Sequence, residues 1–228
     1  MNEKGTCPPP KKEYKMFNIK AILVVLVVLA LPIVTYGQGS SNGVSKETRK
    51  EYYADGKIKA SCEYNKEGLL DGTCTQYSTD GSLNKKDEYK NNVKHGPHTM
   101  YYKSGKLLGE GTYKDGKPDG PEKQYFESGQ LQGEGSHKDG KEYGLWKTYF
   151  ESGKLKLEVT LQDGKYDGLW KTYFESGKLK GEGTYKNGKN EGHEKTYYEN
   201  GKLKKEVLYI DGKPFGAENS YDENGKLQ

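Results

Sequence analysis

The sequence predicts an all-β protein, an elongated antiparallel meander of tandem β-hairpin repeats with a period of 24 residues. Three observations predict it. The stretch GLWKTYFESGKLK occurs twice, at Gly144–Lys156 and again at Gly168–Lys180, 24 positions on. Glycine recurs at the same spacing from Gly81 through Gly105, Gly129, Gly153, Gly177 and Gly201 to Gly225, and two further columns run from Gly116 to Gly212 and from Gly120 to Gly216. Between the glycines, Leu155, Leu157, Val159 and Leu161 alternate with Lys156, Glu158 and Thr160, the period of two of a half-buried strand. Self-similarity at a fixed period marks a repeat architecture.

Taken in order, residues 1–37 read as a secretory signal. Fourteen apolar residues, AILVVLVVLALPIV at Ala21–Val34, follow Lys15 and Lys20 and precede the small-x-small site Thr35-Tyr36-Gly37. Cleavage is therefore expected between Gly37 and Gln38, with export of the remainder. Met16 offers an alternative start. A spanning helix takes about 20 apolar residues, so an N-terminal membrane anchor at Ala21–Val34 is the secondary reading. Residues 38–51 form a polar linker. Residues 52–228 hold seven full units and a truncated eighth, with Gly56 one residue out of step because the first unit is one residue longer before Gly72.

Each unit reads as strand, turn, strand, turn. In ESGK, ENGK and DGK the residue before glycine is Ser, Asn or Asp, which is tight-turn chemistry with glycine at positive φ, often as a three-residue loop with a bulge. The strand LWKTYF puts Trp146, Thr148 and Phe150 on one face and Leu145, Lys147 and Tyr149 on the other. Gly181 and Gly183 in the next strand leave room for a neighbouring ring to lie over them. Pro97, Pro118, Pro121 and Pro214 are expected in loops between units, where no ladder hydrogen bond is lost.

Composition narrows the function. The net charge is +4, but residues 1–37 contribute five lysines and two acidic residues, so the expected mature chain carries only +1. Lys and Glu alternate along nearly every unit, so the basic face that nucleic acid requires is missing and no nucleic-acid partner is expected. A mean hydropathy of −1.06 would suit a disordered chain. The 20 tyrosines, largely in register with the repeat, argue instead for a folded array with a thin core.

Units of the form G-x-W-x-x-Y-[YF]-x-[SN]-G-K-L-K-x-E-x-x-Y-x-[DN]-G-K resemble the MORN repeat variant common in bacterial proteins, over essentially all of residues 52–228. The resemblance implies elongated β-hairpin arrays used as binding or scaffolding surfaces without a catalytic centre. Many bacterial members are catalogued as antitoxins of a toxin–antitoxin pair, so the resemblance implies that role as one expectation. One departure matters: the tryptophan position is filled only by Trp146 and Trp170, with Cys74, His98, Glu122, Glu194 and Glu218 elsewhere.

Candidate sites follow from these columns. Trp146, Trp170, Phe150 and Phe174, with Tyr149 and Tyr173, are repeated side by side in the identical units, and exposed rings at this spacing could stack sugars or grip a partner's side chains. The bland alternative makes them the sheet's thin core. Cys62 and Cys74 lie six residues either side of Gly68 and could face each other across adjacent strands, where a disulfide would brace the first hairpin; otherwise they are two separate small residues. His95 and His98 read as a solvated loop rather than metal ligands. No cofactor or metal is implied, and no enzyme, because catalysis needs different groups converging on one atom whereas a repeat lays like groups in rows. The expected function is an exported, non-enzymatic scaffold for protein–protein recognition, with an antitoxin or immunity role as one form. A cell-envelope module binding glycan or phospholipid is the alternative. N-terminal sequencing of the exported product should return Gln38; an intact Ala21–Val34 segment in the membrane fraction would replace the signal with the anchor.

Overall fold

The computed structural model describes residues 46–228; the expected signal, its cleavage site and the anchor alternative lie outside the described residues. Sixteen strands form one antiparallel sheet in which each strand pairs with its sequence neighbours. One short interruption occurs, where Lys117–Pro118 pairs with Leu107–Lys114 ahead of Gly120–Tyr125. No helix occurs among the described residues, and the sheet is open, ending in Glu47–Tyr52 and Lys213–Ser220. It starts inside the stretch expected to be linker, because Glu47–Tyr52 pairs along its length with Ile58–Tyr64.

The three glycine columns have three different backbone duties. In the Phe150–Lys154 turn, the Phe150 N–H donates to the Lys154 carbonyl and the Gly153 N–H to the Phe150 carbonyl, 2.8 Å each, with Gly153 at φ 82°. This is the three-residue loop with a glycine bulge. The Asp-Gly turns are shorter than that expectation: Gln162 pairs directly with Lys165, and both Asp163 (φ 51°) and Gly164 (φ 76°) are left-handed. Such a two-residue type I′ turn matches the right-handed twist of the strands and demands Asn or Asp before Gly. The third column bends the strand. Val159 pairs with Trp170 and Leu161 with Tyr166, so Asp167, Gly168 and Leu169 oppose Thr160 alone. Gly168 sits at φ 123° in that bulge.

The prolines occupy these strands rather than the loops expected for them. Pro97 lies in Val93–Tyr101 and pairs with Thr112, while on its other side the register jumps from Asp87–His98 to Tyr89–Lys94. The bulge already interrupts the ladder there, so the missing N–H is tolerated. Pro118 and Pro121 flank Asp119, where the strand is split.

One face of the sheet carries the core. Its central column is traced by register pairs: Cys62 with Cys74, Cys74 with Asp87, Asp87 with His98 and His98 with Gly111. It continues through Glu122 and Gly135 to Trp146, Val159, Trp170 and Gly183, and ends in Glu194 with Val207. Cys62 and Cys74 are joined by a disulfide, with Ala60, Tyr64, Leu70 and Tyr89 packed around it. Leu157, Val159 and Leu161 are all buried, and each stabilises the fold by about 1.5–3 kcal/mol.

A single sheet has no second layer to cover its tryptophans, and glycine supplies the space instead. A Cβ at Gly183 would stand 2.8 Å from Trp170 Nε1 and 3.0 Å from Cε2, and one at Gly135 would overlap the ring of Trp146. Trp170 thus lies over the strand that follows it and Trp146 over the strand that precedes it. Both lean away from Val159, which separates them in the column. Gly111 is different, since a Cβ there would meet nothing closer than the Pro121 carbonyl at 3.6 Å. Gly183→Ala should therefore destabilise the sheet by about 1–3 kcal/mol in urea unfolding, because overpacking displaces a well-seated ring. Gly111→Ala should be neutral or stabilising. Equal effects at the two positions would mean that the indole seat is not what glycine provides.

Candidate functional site

The two faces of the sheet offer different chemistry, and the identical units show both. The inner face holds Trp146 and Trp170, which are only 6% and 1% exposed. They are core residues, and the expectation that they form an exposed aromatic surface is corrected: the glycine seats in neighbouring strands take the rings in. The other four rings are occupied as well. Phe150 and Phe174 leave the strand, which ends at Tyr149 and Tyr173, and enter the turn, so they do not continue the tryptophan face. Lys156 lies over Phe150 at 5.7 Å and Lys180 over Phe174 at 5.6 Å. At the same turn position in other units, Tyr102 and Tyr198 donate their hydroxyls to the carbonyls of Tyr125 and Tyr221.

Tyr149 and Tyr173 belong to the outer face. Their hydroxyls donate to Glu134 and Glu158 at 2.7 Å, and Tyr125 and Tyr197 repeat the contact with Glu110 and Glu182 at 2.8 Å. Burial, reinforced by the neighbouring carboxylate, pushes the Tyr149 and Tyr173 phenols up to about 12, so they remain donors at neutral pH. These glutamates stand in a row that alternates in sign from strand to strand: Glu110, Lys123, Glu134, Lys147, Glu158, Lys171, Glu182, Lys195 and Glu206. Lys195 pairs with Glu206 at 3.4 Å. Among the described residues, Lys147 and Lys171 have no ion-pair partner within 4 Å, while Tyr149 and Tyr173 each take one oxygen of the glutamates beside them.

Beside this row lie Leu145 and Leu169, 49% and 65% exposed. They pair with Thr160 and Thr184, and the next equivalent pair is His193 with Leu208. Two large exposed aliphatic side chains thus recur at one register position, ringed by lysines, glutamates and threonines. An apolar centre with a polar rim is the anatomy of a protein contact surface. The alternation of LWKTY places Leu145 on the opposite face from Trp146, so the exposed side chain of each unit is the aliphatic one.

The inner column also collects titratable groups. Asp87 is almost fully buried, with His98 Nδ1 at 2.5 Å, Lys94 Nζ at 2.8 Å and Lys85 at 3.5 Å. Burial opposes the charged form of Asp87, but the hydrogen bonds from His98 and Lys94 together outweigh it and hold the carboxyl below its usual range. His98 stacks edge-on to Tyr113, and His95 faces Asp115 instead. Glu122 reaches His137 at 3.2 Å, and His137 packs edge-on to Trp146. Among the described residues no group of three or more His, Cys, Asp or Glu side chains converges as a metal would need. The signal for these groups lay in the tryptophan column, where His98, Glu122 and Glu194 replace Trp: the slot is buried at His98 and Glu194, half-buried at Glu122 and exposed at Glu218 in the last strand.

Glu194 illustrates the consequence. It sits beside Gly183 in the column, pairs with Val207 and accepts a hydrogen bond from Asn190 at 2.9 Å. Burial pushes its carboxyl up to about 7, against the pull of the Lys205 ammonium. A folded-state pKa above the unfolded value near 4.5 means that the group's contribution is intact at acid pH and is lost as pH rises from there through about 7. Glu194→Gln should remove that loss, raising stability above neutrality by up to about 3 kcal/mol with little gain at pH 4. Parallel stability profiles for the two proteins between those limits would mean that Glu194 is solvated.

Comparison with known proteins bears on the repeat. The MORN repeat variant family matches residues 48–66, 70–91, 94–115, 118–139, 142–163, 166–187 and 190–211. No curated protein matches the chain. A solved structure described as "Crystal Structure of TcdB2-TccC3-Cdc42" is similar over 80% of this chain at 12% identity and a TM-score of 0.24. The chain spans 12% of the length of that one, and the likeness carries no argument about partner or activity.

Proposed function

We propose the following function for this chain, which belongs to the MORN repeat variant family: it is an exported, non-catalytic scaffold whose outer face binds a protein partner. Repeats of this kind commonly bind proteins or lipids. The observation that carries the protein reading is the pair Leu145 and Leu169, exposed at one register position in two identical units. Their burial under a partner would remove apolar area from water at about 25 cal/mol per Å², and the surrounding Lys and Glu would set orientation. The glycan form of the envelope-binding alternative needs exposed rings, and both tryptophans are covered; the phospholipid form rests on the repeat family alone. Immunity to a toxin is a narrower form of the same recognition. The non-catalytic reading rests on geometry: the outer face repeats like groups in rows, and the Asp87–His98 pair is enclosed by the fold, away from any substrate.

A Leu145→Ser/Leu169→Ser double variant tests the reading. The immobilised wild type should retain a partner from extracts of the producing cells, the double variant should lose it, and Phe215→Ser, which removes an exposed ring from the last strand, should keep it. Retention by the double variant would move the interface off the outer face.

A further inference from the structure

We propose that the partner of the outer face is a second copy of this chain, packed face to face across a two-fold axis that runs along the strands between Glu158 and Lys171. The inference rests on the reading that Leu145 and Leu169 mark the interface, and adds what they meet.

The argument starts from the charge row. Nine consecutive strand positions alternate strictly in sign from Glu110 to Glu206. A row of this kind is nearly neutral, so it offers little attraction to a uniformly acidic or basic surface. Its complement is another alternating row shifted by one strand, and the second copy carries one. A two-fold axis between two adjacent strands supplies that shift. Glu158 then faces Lys171 of the second copy, Lys147 faces its Glu182, Glu134 its Lys195 and Lys123 its Glu206, and each contact occurs twice. An axis along the row itself would set every charge against its own kind, and such juxtaposition is strongly unfavourable.

The leucines obey the same symmetry. Strands lie about 4.8 Å apart, so Leu145 and Leu169, two strands apart, leave gaps one strand wide at Thr160 and Thr184. The axis between Glu158 and Lys171 drops Leu169 of the second copy opposite Thr160 and Leu145 of the second copy opposite Thr184. Four leucines then interdigitate in one row, with the most exposed of them nearest the axis. Nine strands of about eight residues span roughly 38 by 27 Å along the sheet, and because strands twist by about 20° from one to the next, close contact falls on the strands nearest the axis, which carry Leu145, Glu158, Leu169 and Lys171. Among the described residues Lys147 and Lys171 have no ion-pair partner, and Glu134, Glu158 and Glu182 each have one oxygen engaged by tyrosine, which leaves the other for an external cation; Lys195 and Glu206, farther from the axis, already pair with each other.

The test is a charge exchange in trans, on the full chain, read as molar mass by light scattering over a concentration series. Wild type should be a dimer. Lys171→Glu and Glu158→Lys should each weaken association by about tenfold or more, since each places like charges together at the axis. An equimolar mixture of the two variants should restore the dimer as a heterodimer, although each chain still carries its own altered row. A wild type that stays monomeric, or a mixture that behaves like the separate variants, would overturn the proposal. Association through the apolar run Ala21–Val34 would be indifferent to all these changes, and equal masses in every sample would likewise overturn it. A monomeric wild type whose Leu145→Ser/Leu169→Ser variant still loses a captured protein would sink the second-copy inference and leave the scaffold reading standing.

Discussion

A sheet one layer thick must bury aromatic surface against backbone, because nothing packs behind it, and this constraint governs the rest of the structure. Tryptophan can be covered only where a neighbouring strand lacks side chains, so Trp170 requires Gly183 and Trp146 requires Gly135. The glycines in turn have no stabilising side chain of their own in a strand and are supported by the ring above them. Ring and glycine therefore form one unit of packing that crosses a strand boundary, and it ties each repeat to its neighbour. In a linear array, stability resides in such nearest-neighbour contacts.

The central column shows how one slot takes different chemistry along the row. At the N-terminal end it is closed by the Cys62–Cys74 bond, then by the Asp87–His98 pair held by Lys94. In the middle it is apolar, with Val159 between two indoles. Towards the C-terminal end Glu194 enters the same buried slot, and its carboxyl answers by holding its proton to higher pH. Where the column is buried, the residue satisfies that burial by a covalent bond, by an ion pair, by a glycine seat or by protonation; at Glu218 in the last strand the same slot is open to water.

The division between faces gives the fold its functional logic. The inner face consumes its large side chains in packing, so recognition falls to the outer one, where the tyrosine–glutamate contacts order a charge row and the leucines remain uncovered. Because each tyrosine hydroxyl takes a glutamate oxygen fifteen residues back, the row is built from contacts between the two strands of one hairpin. A change in one unit should therefore leave the pattern of distant units intact.

Much of this was legible beforehand. The period, the alternation and the Asn/Asp/Ser-Gly turns determine an antiparallel meander of hairpins, since each is a local property of backbone conformation and side-chain period. The alternation in LWKTY also separates Leu145 from Trp146. What the sequence leaves open is everything set by cross-strand neighbours. Two identical thirteen-residue stretches place their tryptophans in opposite directions, because Gly135 precedes one and Gly183 follows the other with Val159 between. The same neighbours make the indoles core and the leucines surface, bring Asp87 against His98, and give Glu194 its raised pKa. The sequence by itself determined the repeat and its two faces; only the tertiary structure decided which face is covered, because burial in a single sheet depends on the strand next door rather than on the strand itself.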